Sequence, residues 1–158
     1  MSISIREARA GDGAILHAMV RELAVHHGHA DDFTAQPEDY DRFLSDPHAI
    51  NGALIATIEG EPAGCAIWQR SYSTFRGRET LYLEDLSVLP QFRRRGVARE
   101  LLKSVARLAL SRGVPAVTWL MMQWNDGARR LYAEAGAEIE DGNCLCRLSG
   151  AALERLGS

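Results

Sequence analysis

Residues 81–102 constrain this chain more than any other stretch: Leu81-Tyr-Leu-Glu-Asp-Leu-Ser-Val-Leu-Pro-Gln-Phe-Arg-Arg-Arg-Gly-Val-Ala-Arg-Glu-Leu-Leu. The apolar residues of 80–88 predict a long strand, which Pro90 ends. From about 95 to 112 the apolar stripe Val97, Leu101, Leu102, Val105, Leu108 and Ala109 recurs at helical spacing, and Gly113 and Pro115 stop it. A strand thus feeds a short loop of arginines and one glycine, and the loop feeds a helix. Such a loop leaves backbone N–H groups unpaired at the positive end of the helix dipole. Those groups suit a pyrophosphate. Gly96 lets phosphates approach the backbone, small Ala98 keeps the turn open, and Arg93, Arg94 and Arg95 add positive charge. Neither GxxxxGK[ST] nor a GxGxxG opening an N-terminal βαβ unit is present, which excludes two other phosphate-binding patterns.

The rest of the chain reads as one mixed α/β domain over residues 1–158. A short strand around Ile3 and Ile5 is expected first. A helix follows, N-capped by Asp12, carrying Ile15, Leu16, Met19, Val20 and Leu23, and running out near His26-His27-Gly28. Pro37 opens a second short helix that stops before Pro47. Residues 53–59 and 63–70 read as a hairpin over Gly60-Glu61-Pro62, and 71–78 as a loop. Residues 116–122 form an apolar run expected to be a strand buried on both faces. Asn125 is expected to cap a further helix ending at Gly136. A closing hairpin of 137–140 and 144–148 and a tail helix at 151–156 complete the order β-α-α-β-β-β-α-β-α-β-β.

Composition narrows the function. The 158 residues carry a formal net charge of -3, so nothing global suggests nucleic acid or an anionic membrane, and one arginine triplet is a thin footprint for nucleic acid. No segment has the roughly 18 consecutive apolar residues that a membrane span requires. The N-terminus lacks the apolar run of a signal peptide, so a cytoplasmic protein is expected. Cys65, Cys144 and Cys146 show no zinc-ligand spacing and are read as free thiols. His26, His27 and His29 lack a fourth ligand at suitable spacing, so no metal is expected. Trp68, Trp119 and Trp124 are read as core or pocket-wall residues.

With these motifs laid out, the sequence resembles the GNAT acetyltransferases. Their acyl-CoA signature, [RQ]-x-x-G-x-[GA], is matched by Arg93-Arg94-Arg95-Gly96-Val97-Ala98. The resemblance is closest to the spermidine/spermine (diamine) N-acetyltransferases, through Leu81-Tyr-Leu-Glu-Asp-Leu, Trp124-Asn125, and Leu131-Tyr132 followed by Gly136-Ala137. It is good over about 80–140, weaker over 1–30 and loose between. The resemblance implies an α+β fold: a mixed, mostly antiparallel central sheet with splayed central strands and helices on both faces. It implies acetyl-CoA as co-substrate, a small-molecule amine as acceptor, and a homodimer.

Residue by residue, the resemblance places Leu86, Ser87 and Val88 on the pantetheine-binding strand. The pyrophosphate loop falls on Arg93, Arg94, Arg95, Gly96, Val97, Ala98 and Arg99, with Arg94 standing where the family often has glycine. Asn125, Asp126, Gly127 and Ala128 match a second cofactor contact. An amine bound as ammonium must lose a proton before it attacks, and Glu84 fits the base, also touching substrate; Tyr132 fits the acid that protonates the leaving thiolate. Transfer would be direct. The pattern departs at His27, where the diamine enzymes carry a glutamate that binds the polycation, and at Cys144, where a second acidic contact falls. His26 and His27 are therefore expected at the substrate, which is a diamine, a lysine-like amino acid or an amine-bearing drug. A protein N-terminus or lysine as acceptor, and a non-catalytic acyl-CoA sensor, are the alternatives.

Overall fold

The computed structural model describes residues 2–48, 50–142 and 147–157. It divides into two compact units, Met1–Asn125 and Asp126–Ser158. In the first, strands β1 (Ile3–Glu7), β2 (Asn51–Ile58), β3 (Glu61–Ser73), β4 (Arg78–Val88) and β5 (Val117–Thr118) form one sheet in chain order. The first four are antiparallel; β5 pairs with β4 in parallel. Helices α1 (Gly13–His26) and α2 (Pro37–Ser45) lie on one face and α3 (Val97–Ser111) on the other. The mixed, mostly antiparallel sheet with helices on both faces agrees with the expected class.

Side-chain alternation explains the layers. Ala53, Ile55, Cys65 and Ile67 stand on one face and pack with Leu16 and Met19 of α1, with Tyr40, Phe43 and Leu44 of α2 closing over them. On the other face Trp68 and Leu81 pack with Ala109 and Val114. Val97, Leu101, Leu102, Val105 and Ala109 are the buried stripe of α3, as the spacing predicts.

Several boundaries differ from the sequence reading. Residues 71–73 and 78–79 belong to strands, because β3 and β4 continue as a long hairpin whose main-chain ladder needs no apolar side chains. An ion pair between Arg70 and Glu79 ties its strands. Conversely, only Val117 and Thr118 of the apolar run 116–122 are strand, and that run is not buried on both faces: Thr118 and Leu120 are exposed. Asp12 occupies the N-cap of α1, but its side chain caps nothing. It is held by Arg6 (2.7 and 2.8 Å) and by the Arg9 N–H (2.9 Å), which hold its carboxyl below the usual carboxylate range. The capping acceptor is Asp41 of α2, whose Oδ1 takes the N–H groups of Gly11 and Gly13, each at 2.9 Å.

The second unit holds α4 (Asp126–Glu134) and α5 (Gly150–Gly157). Gly136, at φ +84°, ends α4, with the Ala137 N–H on the Tyr132 carbonyl at 3.0 Å. Residues 137–140 are not strand, so that arm of the expected closing hairpin is absent. Cys144 and most of the other arm lie outside the described residues.

Candidate functional site

The site begins where β4 parts from β5. Their pairing consists of Leu81↔Val117 and Tyr82↔Thr118; beyond it β4 runs on to Val88 with only β3 beside it among the described strands. The central strands are therefore splayed, as expected. The Leu89 N–H bonds to the Ala63 carbonyl at 2.9 Å, on the β3 side. By alternation Ser87 also turns its backbone to β3, and Leu86 and Val88 present theirs to the opened edge. Ser87 is buried and its hydroxyl donates to the Met19 carbonyl at 2.8 Å, fixing α1 over this part of β4.

A β-bulge sits at the point of separation. Leu83 pairs with Trp68 and Asp85 with Ile67, so Glu84 is one residue too many for β3. Because Trp68 and Ile67 face opposite sides of the sheet, Leu83 joins the α3 face and Asp85 the α1/α2 face. The exposed Glu84 accepts a hydrogen bond from Gln69 Nε2 at 3.3 Å. Asp85 is half-buried and forms no hydrogen bond or ion pair with any described residue. Burial first, and then the neighbouring Glu84 charge, push its carboxyl up to about 6. Tyr40, packed over Cys65 and Ile67, is pushed up to about 12 by burial and then by Asp85. His17 meets Phe33 at a tilt (5.2 Å between centroids) and Tyr40 edge to face (6.2 Å).

After β4, a 3-10 turn at Pro90–Phe92 leads into the arginine loop. Arg93 has φ −63°, Arg94 φ +62° and Gly96 φ +84°, an alternation of handedness that turns successive N–H groups toward one concavity. The N–H groups of residues 94–98 find no acceptor among the described residues, and no side chain caps α3. Arg93 is used structurally: its Nε donates to the Val88 carbonyl (3.0 Å) and its Nη2 pairs with Glu22 (3.4 Å). Arg94 is exposed and Arg95 lies over the Phe92 ring at 5.7 Å, neither with a carboxylate partner among the described residues. An opened strand edge leading into a cradle of free N–H groups can take an extended chain ending in phosphates.

The C-terminal end of α1 carries an aromatic group. His26 and His27 lie 5.6 and 5.9 Å from Trp124, edge to face, and 5.7 Å from each other. Asn125 follows, its N–H on the Met122 carbonyl at 2.9 Å. Among the described residues no group of three or more His, Cys, Asp or Glu side chains could hold a metal. In the second unit, Asp126, Gly127 and Ala128 form the first turn of α4, and Tyr132 is buried, its phenol pKa raised by desolvation.

Residues 16–137 match the profile of the Acetyltransferase (GNAT) family. The chain belongs to that family. This acetyltransferase is 34% identical to the thialysine N-epsilon-acetyltransferase of Bos taurus over 167 residues, covering 98% of this chain and 96% of the relative. It is 30% identical to the L-ornithine N5-acetyltransferase of Arabidopsis thaliana over 128 residues, 81% of this chain and 52% of that one. In fold it is similar to an integron cassette protein from the mobile metagenome of V. cholerae, with a TM-score of 0.79 at 22% identity over 99% and 98% of the two chains.

Sequence reasoning placed Glu84 in the site but missed its neighbour Asp85. The available signal was a pair of adjacent carboxylates inside an otherwise apolar strand. Arg93 was read as positive charge for the cofactor; its two contacts show it also tying the loop to β4 and α1.

Proposed function

We propose that this acetyltransferase moves the acetyl group of acetyl-CoA directly onto a primary amine of a small molecule: a diamine, a lysine-like amino acid or an amine-bearing drug. The observation that carries the reading is the opened β4 edge running into the uncapped, left-handed Arg94–Gly96 turn. Leu86 would hold the pantetheine arm by its backbone N–H and carbonyl and Val88 by its N–H, its carbonyl already accepting from Arg93, and the N–H groups of residues 94–98 would hold the pyrophosphate, with Arg94, Arg95 and Arg99 adding charge. Asn125, Asp126, Gly127 and Ala128 would supply the second contact. The names of the relatives, which act on thialysine and on ornithine, support a small amine as acceptor.

In this reading Asp85 receives the ammonium, for it is an unpartnered carboxylate that a cation would stabilise. Glu84, exposed at the bulge, takes the proton as the amine attacks, directly or through one water. Tyr132, whose raised pKa keeps the phenol protonated, returns a proton to the departing thiolate. Most of the rate acceleration would come from holding amine and thioester in attack geometry.

The test is thiol release from acetyl-CoA with thialysine, lysine, ornithine, putrescine, spermidine and an aminoglycoside. Turnover on one or more supports the reading. Binding of acetyl-CoA with no turnover on any of them would refute a small-amine acceptor, and lack of acetyl-CoA binding would refute the cofactor assignment.

A further inference from the structure

We infer that Arg93 and Glu22 are a positioning pair for acetyl-CoA: they hold the N–H cradle of residues 94–98 at a fixed spacing from the opened β4 edge and supply no net charge to the phosphates. The inference rests on the cofactor assignment above and deepens it.

The three arginines of the loop do not share one environment. Arg94 and Arg95 are exposed, with no carboxylate partner among the described residues, whereas the half-buried Arg93 turns back to the sheet and α1. Its Nε–H donates to the Val88 carbonyl at 3.0 Å, and its Nη2 lies 3.4 Å from Glu22. Val88 is the last residue of β4, on the edge that β5 has left, so the guanidinium takes the place of a strand partner there. The turn between them is closed by its own main chain. The Phe92 N–H bonds to the Leu89 carbonyl at 2.9 Å and the Arg93 N–H to the Pro90 carbonyl at 3.2 Å. Main chain and side chain together therefore fix residue 93 against the end of β4, and the left-handed Arg94 opens the cradle immediately after it.

Glu22 gives this brace a second anchor. The Ser87 hydroxyl holds the Met19 carbonyl at 2.8 Å, and Glu22 stands one turn further along the same face of α1. Helix α1 thus meets the end of β4 and the start of the loop at two points. The Glu22 carboxylate also neutralises the guanidinium, so the positive charge left for an anion in the cradle comes from Arg94, Arg95 and the N-terminus of α3. Acetyl-CoA would occupy edge and cradle together. The affinity of a ligand that bridges two subsites depends on their spacing, and that of a ligand of one subsite does not.

Covalent structure supplies the test. In Gln a side-chain amide nitrogen stands where Arg has Nε, without the charge; in Lys a methylene stands there and the charge is kept. Binding of acetyl-CoA, and of ADP, which has a pyrophosphate and no pantetheine arm, is measured by calorimetry. The proteins are the unmodified chain, Arg93→Ala, Arg93→Gln, Arg93→Lys and Glu22→Ala, each with an unaltered urea transition. Arg93→Ala and Arg93→Lys should weaken acetyl-CoA by about tenfold, the scale of one hydrogen bond from a charged group, and ADP by less than about twofold. Arg93→Gln should recover most of the acetyl-CoA affinity that Arg93→Ala loses. Glu22→Ala should weaken acetyl-CoA without weakening ADP. A purely structural role would not separate the two ligands. Arg93→Lys binding acetyl-CoA more tightly than Arg93→Gln, or ADP weakened as much as acetyl-CoA, makes Arg93 a phosphate contact; either result overturns the inference and leaves the cofactor assignment standing. So does unchanged acetyl-CoA affinity in either alanine variant. An unmodified protein that binds neither ligand overturns both.

Discussion

Replacing Asp85 by Asn should make this protein more stable and less active at neutral pH. The folded carboxyl is pushed from 3.8 to about 6, chiefly by burial. A shift of that size corresponds to about 3 kcal/mol, reduced to about 2 kcal/mol by the solvent that still reaches a half-buried side chain. The folded pKa is raised, so the folded state binds the proton more tightly than the unfolded chain does. Its favourable contribution is complete below about pH 4 and is lost as pH rises through about 6. Asn mimics the protonated form, so Asp85→Asn should gain about 1–2 kcal/mol at pH 7.5 and nothing at pH 4. Urea unfolding at a series of pH values reads this directly, the difference between the proteins opening between pH 4 and 6.5. The same variant should raise KM for the amine by about tenfold, through loss of a charge-assisted contact. A variant less stable at pH 7.5, or one whose gain persists unchanged at pH 4, refutes the placement of Asp85 as an unpartnered carboxylate.

Arg94 holds φ +62°, where a side chain is strained and glycine is not. Arg94→Gly should therefore keep or raise stability, by up to about 1 kcal/mol, while acetyl-CoA affinity by calorimetry falls only by the share of one exposed charge. Asp41→Ala removes the acceptor of the Gly11 and Gly13 N–H groups and should destabilise by about 1–2 kcal/mol in urea unfolding. A loss below the error of that measurement would show that water replaces Asp41 at no cost. Tyr132→Phe should lower kcat by about a hundredfold with acetyl-CoA affinity nearly unchanged; unchanged turnover would remove the acid role.

How much of this was legible in the sequence depends on how far each cause lies from its effect along the chain. The β4–loop–α3 unit was legible because its causes are local: Pro90 stops the strand, Gly96 supplies the left-handed turn, and the α3 stripe repeats every three to four residues. Helix α2 was legible for the same reason, with Pro37 at its first position. The cap of α1 was not, because Asp41 reaches Gly11 and Gly13 across 30 and 28 residues, while Asp12, at the position that usually caps, is drawn away by Arg6. The extent of β5 was overestimated because hydrophobicity reports burial, not pairing; residues 119–122 leave the sheet as the strands separate. The β3–β4 hairpin was underestimated because exposed strands carry polar side chains on both faces.

The bulge at Glu84 was the least legible feature and has the largest consequence. In a regular strand Leu81, Leu83, Asp85 and Ser87 would share one face, putting the Asp85 carboxylate beside Leu83 and Trp68 under α3, in an apolar layer with no hydrogen-bond partner. One extra residue turns Asp85 and Ser87 to the α1/α2 face instead, where Ser87 ties α1 through Met19 and Asp85 lies near Tyr40. The same flip turns Val88 toward Val97 of α3, where both pack within 3.2 Å of the position a Cβ on Gly64 would take. A side chain there would also lie 2.6 Å from the Ser87 carbonyl, so Gly64 is required for β3 to follow the bulged strand so closely. The bulge thus accounts for the fixing of α1 through Ser87 and for the exposure of a carboxylate beside the opened edge. Deleting Glu84 should leave Asp85 opposite Ile67 on the α1/α2 face and abolish activity through loss of the base and of the bulge at the opened edge. Glu84→Ala, which keeps the extra residue, should lose only the base.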